Sequence, residues 1–556
     1  MKNYLTFLSV FLTTILFAQE RVKKVEFYGG ARTNILFQNL DDDKDTLNVQ
    51  KSNYGHSLID LGILIRPSAD TEIMTELRMR NELGGFYGAA VNFGVRRMTL
   101  KGVINDAVRY KIGDIDLKLT PYTLYNNGYQ DRINEASVFN VVREVVDYEN
   151  FYANNTWRRQ GIQSQFVLDL MNEKFKTIHF NLFSTRNNSA NGQINLPERL
   201  YSGGSAMLKT SFANFSLNSA NMHDLKNTID DSQLYYNYVN TLSAHIPLNF
   251  IDSLTLNIET GTSTEKFDNV LEEVIFKKQD YFWNLSLDYH KSNSKEFNFS
   301  AIYTGPFFRS LGAQNVRLDY QSNSGIFPVI TNDQIQREMG LIDYLYNDVL
   351  YRKTFDNTLD MYNPSFSNVL PYGLATSNRQ GISAGTNYSL MKNAINLKAD
   401  IFALQEVIGS GTLELKKFLK ASLKADVVYK NWELKSGFTF EKTLRNGQSF
   451  EQVDLTSLLL DFGLDYKLDE NIYLLYGVKY HMSDGNDLLP VYDSQNQIIY
   501  FNDYTIQNQT QYLNAIGVKV AFNKNSTLTL SYNSFVQSRE VDYRFNQFHV
   551  LYRLNL

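Results

Sequence analysis

The sequence predicts an all-β chain, a single transmembrane antiparallel β-barrel, and three observations predict it. Aromatic residues make up 14% of the 556 residues, with 36 Tyr and 37 Phe, yet only nine are Pro. The chain is polar on average, and beyond its first residues no run is long and apolar enough for a spanning helix. Apolar and polar residues instead alternate over many short stretches, the pattern of strands with one face on lipid and one on a wet interior. Each spanning strand needs 9 to 11 residues, so the chain holds about 18 to 22 strands.

The N-terminus comes first. Lys2 precedes an apolar run from Tyr4 to Phe17 that ends at Ala18. The run is shorter than the roughly 20 residues of a spanning helix, so residues 1–18 read as a signal peptide and 19–556 as the barrel. The chain has no Cys, which excludes a lipid-modified cysteine and a disulfide framework. Alternation is already present at Phe27, Gly29, Ala31, Thr33 and Ile35. That leaves no room for a separate N-terminal plug domain.

The early strands carry charge on one face. Glu72, Glu76, Arg78 and Arg80 oppose Ile73, Leu77 and Met79, with Arg96 and Arg97 soon after. Arg109 and Lys111 oppose Val108 and Tyr110. With the apolar face on lipid, Glu72, Glu76, Arg78, Arg80, Arg96, Arg109 and Lys111 are candidate lumen-lining residues. Mutually paired charges that stiffen the wall would produce the same pattern. Next the apolar phase changes, from even numbers at Val108, Tyr110 and Ile112 to odd ones at Ile115, Leu117 and Leu119. A bend or bulge between Ile112 and Ile115 is expected, with Gly113 as hinge.

The segment Tyr110 to Tyr125, YKIGDIDLKLTPYTLY, resembles the strand-to-plug region of wide, plugged barrels of the usher type, where a Gly-Asp step precedes a stretch folded inside the lumen. That resemblance makes residues 121–160, rich in Asn, Tyr and Glu and holding the apolar stretch Val138 to Val146, a candidate luminal plug or constriction. An ordinary bulge in a wall strand is the other reading of the phase change. A second irregular stretch, 306–378, carries Pro306, Pro328, Pro364 and Pro371 and a helical spacing from Ile335 to Leu350. It is expected as a long external loop.

Regular alternation fills the rest. Leu458, Leu460, Phe462, Leu464 and Tyr466 oppose Asp461, Gly463, Asp465 and Lys467. Ile472, Leu474, Tyr476, Val478 and Tyr480 oppose Tyr473, Gly477, Lys479 and His481, with only Leu468 to Asn471 as a turn between the two strands. The stretch from Ser483 to Asn508 reads as a long loop before the tight turn at Asn523 to Asn525. Short turns at one end and long loops at the other orient such barrels.

Motifs for chemistry fail on context. Gly381-Ile382-Ser383-Ala384-Gly385 matches the nucleophile-elbow string, but that motif needs a strand-to-helix turn in an α/β sheet, and here it lies in an alternating run. The seven His residues show no paired-ligand spacing. Asp41, Asp42, Asp43 and Asp45 lack the glycine and terminal glutamate of a calcium loop and read as a solvated hairpin tip. No enzyme activity, metal or cofactor is expected, and the net charge of -5 argues against nucleic acid.

At the C-terminus Phe548, Val550, Tyr552, Leu554 and Leu556 alternate with His549, Leu551, Arg553 and Asn555. These residues resemble the terminal β-signal of Gram-negative outer-membrane β-barrel proteins, a porin-like superclass, with Leu556 where the usual final aromatic stands. The resemblance implies an outer-membrane location, the barrel-assembly machinery and outer-membrane lipid as partners, and envelope proteins as further contacts. The expected function is a porin-like channel for passive diffusion of small hydrophilic solutes. The alternative is a non-conducting component of a secretion, assembly or adhesion complex.

Overall fold

A computed structural model describes residues 24–42, 50–83, 91–127, 135–151, 154–193, 196–226, 233–248, 253–269, 274–291, 295–315, 354–359, 362–391, 394–449, 451–493, 497–538 and 543–556. The signal-peptide residues 1–18, the helical spacing from Ile335 to Leu350, and Asp43 and Asp45 lie outside them. Twenty-two strands follow one another, each antiparallel to the next. The last, β22 (Tyr543–Asn555), closes on β1 (Val25–Asp42) from Gly30↔Asn555 to Asp42↔Tyr543. Closure removes both sheet edges, which lipid requires because it offers backbone groups no hydrogen bonds.

Alternation decides the faces. In β18 (Val453–Asp469) Leu460 and Phe462 are exposed on the outside, while Ser457 and Gly463 are buried within. In β12 (Val274–His290) Trp283, Leu285 and Leu287 are exposed, and Ser286 between them is buried. In β21 (Ser526–Ser538) Leu530 and Tyr532 face out, Ser531 and Asn533 in. The turns at one end are tight: β2 (Gln50–Ser68) to β3 (Thr71–Glu82), β4 (Val91–Ile104) to β5 (Val108–Leu117), and β18 to β19 (Ile472–Tyr492). Both ends of the barrel chain lie at this short-turn end, the periplasmic end in barrels of this kind.

Three expectations need correction. The stretch from Ser483 to Asn508 is no loop, because β19 runs on to Tyr492 and β20 (Ile498–Asn523) begins soon after, paired from Gly485↔Ile506 to Tyr492↔Ile498. Aromatic and β-branched residues such as Tyr492, Ile498, Ile499, Tyr500 and Phe501 favour extension there. Secondly, β5 contains no bulge: it pairs with β6 (Trp157–Asp169) without a shift, from Val108↔Phe166 to Leu117↔Trp157. The phase changes because the inward positions Ile115 and Leu117 are covered by folded chain rather than by water. The register shift lies in β4, between Arg97 and Val95 opposite Glu76 and Leu77.

Thirdly, the described parts of 306–378 are not an external loop. Phe308, Ser310, Leu311 and Ala313, and later Asn368, Val369 and Ala375, are almost wholly buried. They contact inward faces of the wall: Arg309 N donates to Ser263 Oγ at 2.9 Å, and Asn368 Nδ2 to Thr443 Oγ1 at 2.8 Å. The apolar residues of these parts are buried inside the lumen.

Candidate functional site

Three inward segments meet the inner face of the wall. The first is helix α1 (Ser137–Asn150), which ends on Phe151 in the left-handed conformation. Its start sits on a smooth patch of wall. Gly463↔Gly477 and Gly477↔Ala515 are adjacent across β18, β19 and β20, and Ala136, Val138 and Phe139 cover them. A Cβ on Gly463 would come within 2.6 Å of Ala136 Cβ, and one on Gly477 within 2.7 Å of Val138 Cγ1. The glycines therefore make the seat.

Charge fixes both ends of this helix. Glu135, just before it, is buried and accepts from Arg143 Nη2 at 2.8 Å and from Lys479 Nζ of β19. Near its other end Glu149 accepts from Arg32 of β1 and Arg78 of β3. Arg78 also grips Asp60 of β2 with two bonds of 2.7 Å, and Tyr148 donates to Asp60 Oδ2 at 2.6 Å. Arg96 of β4 lies 3.8 Å from the Tyr148 ring centre and donates to Glu76 Oε1 at 2.6 Å. Burial pushes both glutamates up, but Arg32 and Arg78 bring Glu149 down to about 2, and Arg143 and Lys479 bring Glu135 down to about 2. Arg553 of β22 bonds Glu144 Oε2 at 2.6 Å. The helix thus spans between β18–β20 and β1–β4.

The other two segments interlock. Tyr125 N donates to Gly312 O at 2.9 Å and Trp157 Nε1 to the same carbonyl at 3.2 Å. Ser310 Oγ donates to Thr123 O at 3.1 Å, and Asn127 Nδ2 to Ala313 O at 2.8 Å and Tyr372 O at 3.0 Å. Gly312 has no room for a side chain, since a Cβ would stand 2.2 Å from Tyr201 Oη. Tyr122 stacks on Phe282 of β12, ring centres 3.8 Å apart. Residues 118–127 and 305–315 so cover the arc from β5 to β12, and 362–378 reaches Glu441, Thr443 and His481 beyond.

Two cavities among the described residues lie one toward each end. The loop-end cavity, roughly 450 Å³, is walled by Tyr362, Tyr372, Phe418 and Tyr492 with Arg309, Arg379 and Lys416. Arg379 donates to the carbonyls of Val369 and Asn368, and Lys416 to Asp487 and Leu488 O, while Lys278 lies over the Phe307 ring. At the short-turn end a niche of roughly 330 Å³ is lined by Arg66, Lys101, Arg109 and Lys111 with Asp70 and Glu72.

The sequence-predicted residues divide between two places. Glu76, Arg78 and Arg96 meet at the helix, whereas Glu72, Arg109 and Lys111 line the niche. Arg80 stands apart, bonded to Glu82 at 2.7 Å. Gly113 has φ +102, and a Cβ there would stand 2.3 Å from Met98 O, so only glycine fits. From Phe548 to Leu554 the terminal strand is paired on both sides, to β21 and β1. Gly381 to Gly385 lies within β14 (Arg379–Leu390). Sequence reasoning missed Glu135, Tyr148, Glu149 and the glycine seat. The available signal was Gly463 and Gly477 on the inward face of consecutive strands.

On the outside, Phe93, Val95, Met98, Ile112, Ile162, Leu182, Leu217, Leu242, Leu285 and Ile401 are all exposed on strands of a closed barrel, a belt that hydrocarbon covers favourably. The chain is an outer-membrane β-barrel protein. No family model matches it, and no curated protein does. Among solved structures it is similar to OccAB4 of Acinetobacter baumannii, with 10% identity over 96% of this chain and 99% of that one and a TM-score of 0.30. It is also similar to the copper transporter OprC (8% identity, 95% and 81%, TM-score 0.47) and to the FrpB iron transporter of Neisseria meningitidis (9%, 97% and 83%, 0.45). At this level of likeness none of their solutes carries over to this chain.

Proposed function

We propose that this outer-membrane barrel is a channel for small hydrophilic solutes, gated by its own inward segments. The observation that carries the reading is how helix α1 is held. It docks on a glycine seat and through side-chain ion pairs to Arg32, Arg78, Lys479 and Arg553, with no strand ladder joining it to the wall among the described residues. Such a contact can be released without unfolding a strand. The porin-like diffusion route is thereby narrowed to a gated one.

Single-channel recording in planar bilayers tests this reading. Rare openings of small unit conductance are expected, because inward segments are packed on much of the wall. A second reading, a non-conducting component of an envelope complex, is favoured by the apolar clusters around Tyr122, Phe308, Leu311 and Val369, since dry packing suits permanent closure. A barrel silent at every voltage and pH would replace the channel with that reading, and envelope proteins captured by cross-linking would then be its partners.

A further inference from the structure

The niche at the short-turn end holds more positive charge than its own acids answer. The register sets Glu72, Lys101, Lys111 and Gln163 side by side on β3, β4, β5 and β6, with Arg109 beside Gln165 in the neighbouring inward row. Directly opposed residues have Cβ atoms about 5 Å apart, so Lys101 and Lys111 form a like-charge pair that destabilises the wall. Glu72 answers Lys101 and also Arg66, 3.3 Å away. Arg109 and Lys111 have no acid partner among the described residues, and neither donates a hydrogen bond there.

We propose that this niche is a binding site for a small oxyanion, a phosphate or carboxylate group, at the periplasmic mouth of the lumen. As a selectivity site it rests on the channel reading; as a binding site it does not. The chemistry follows from the donors. Arg109 offers a planar fork that matches two oxygens of one oxyanion, and Lys111 a compact charge beside it. An anion between Lys111 and Lys101 turns their repulsion into attraction. The volume of roughly 330 Å³ admits a small phosphorylated or dicarboxylic solute. The contrast with the loop-end cavity sharpens the assignment: Arg379 and Lys416 there already serve carbonyls and Asp487, whereas Arg109 and Lys111 serve no acid among the described residues.

The test uses the full-length barrel in detergent at low ionic strength, titrated calorimetrically with inorganic phosphate and, separately, with succinate. Saturable binding of at least one is expected, weakened about tenfold or more in R109Q/K111Q, since two charge-assisted contacts are lost. Heat-modifiable migration confirms that the variant is folded. No saturable binding of either anion, or the same isotherm in wild type and variant, overturns the site. In bilayers with a salt gradient, Lys111→Glu should move the reversal potential toward cation preference, and an unchanged potential in a conducting variant refutes its part in selectivity. Silent bilayers together with variant-sensitive binding would leave the oxyanion site standing and remove the channel.

Discussion

Two regions of the lumen use the same kinds of side chain to opposite ends. Where the inward segments dock, arginines and lysines are consumed: Arg32, Arg78 and Lys479 hold carboxylates of the helix segment, and Arg379 holds backbone carbonyls. In the niche, Arg109 and Lys111 have no such task. A basic residue in a barrel interior therefore says little until its partners are known. Where chain folds inward, cations become fasteners; where it does not, they remain available to solute.

The largest effect should come from removing the fastened part. Excision of Glu135 to Phe151 with a Gly-Ser link takes away the helix and its two end carboxylates but leaves every wall ladder in place. Unit conductance should rise several-fold, and the wall the helix leaves bare should then resemble the niche in access to polar reagents. Unchanged conductance in a folded variant would mean that the helix obstructs nothing.

Acid should act on the same fasteners. Arg32 and Arg78 hold Glu149, and Arg143 and Lys479 hold Glu135, at about 2 against an ordinary 4.5. A carboxyl depressed in the docked state contributes stability that is complete above about pH 4.5 and is lost as pH falls toward 2. Helix docking should therefore loosen over that window and not between pH 6 and 8, read as open probability or as protease cleavage near the helix. Glu149→Gln should already be loosened at neutral pH and show less further change in acid.

A smaller effect is expected from the seat. Gly477→Val would drive two methyl groups into Val138 and Phe139, already 2.7 and 2.8 Å from a Cβ. Overpacking of this kind costs about 1 to 3 kcal/mol. Because the side chain points inward, the barrel should still insert, and the loss should appear in helix docking alone. A variant that fails to insert would show that the seat supports the wall rather than the helix.

Much of the wall was legible because a period of two residues is a strong local signal: Leu460 and Phe462 against Asp461 and Gly463 needed only the sequence. The contents of the lumen were not, for a physical reason. Ile115 and Leu117 look like lipid-facing residues to any rule that equates apolar with outside, yet they face inward onto Leu124, Leu311 and Phe355. Their neighbours lie far along the chain, and no local pattern reports them. The helix was visible only as the apolar stretch Val138 to Val146, and the carboxylates that fix it have meaning only beside Arg32, Arg78 and Lys479.

The smallest predicted effect lies where the wall itself changes character. From Ile104↔Val108 to Thr99↔Gly113 strand β4 is paired to β5, but beyond Thr99 the described residues give its Val91–Met98 stretch ladder partners only on β3. The first amide past the junction, Met98 N, donates instead to Asp114 Oδ2 at 2.7 Å, and Thr99 Oγ1 donates to Asp114 O at 2.9 Å. A side chain thus ends the β4–β5 ladder while β5 stays paired with β6, and an amide at membrane depth needs some such acceptor. Asp114→Asn keeps an oxygen in place but removes its charge, so the loss should be only about 1 kcal/mol. It should appear as faster hydrogen exchange at Met98, with the amides from Leu100 to Ile104 unaffected. Faster exchange along the whole of β4 would show that Asp114 holds the two strands together rather than capping a single amide.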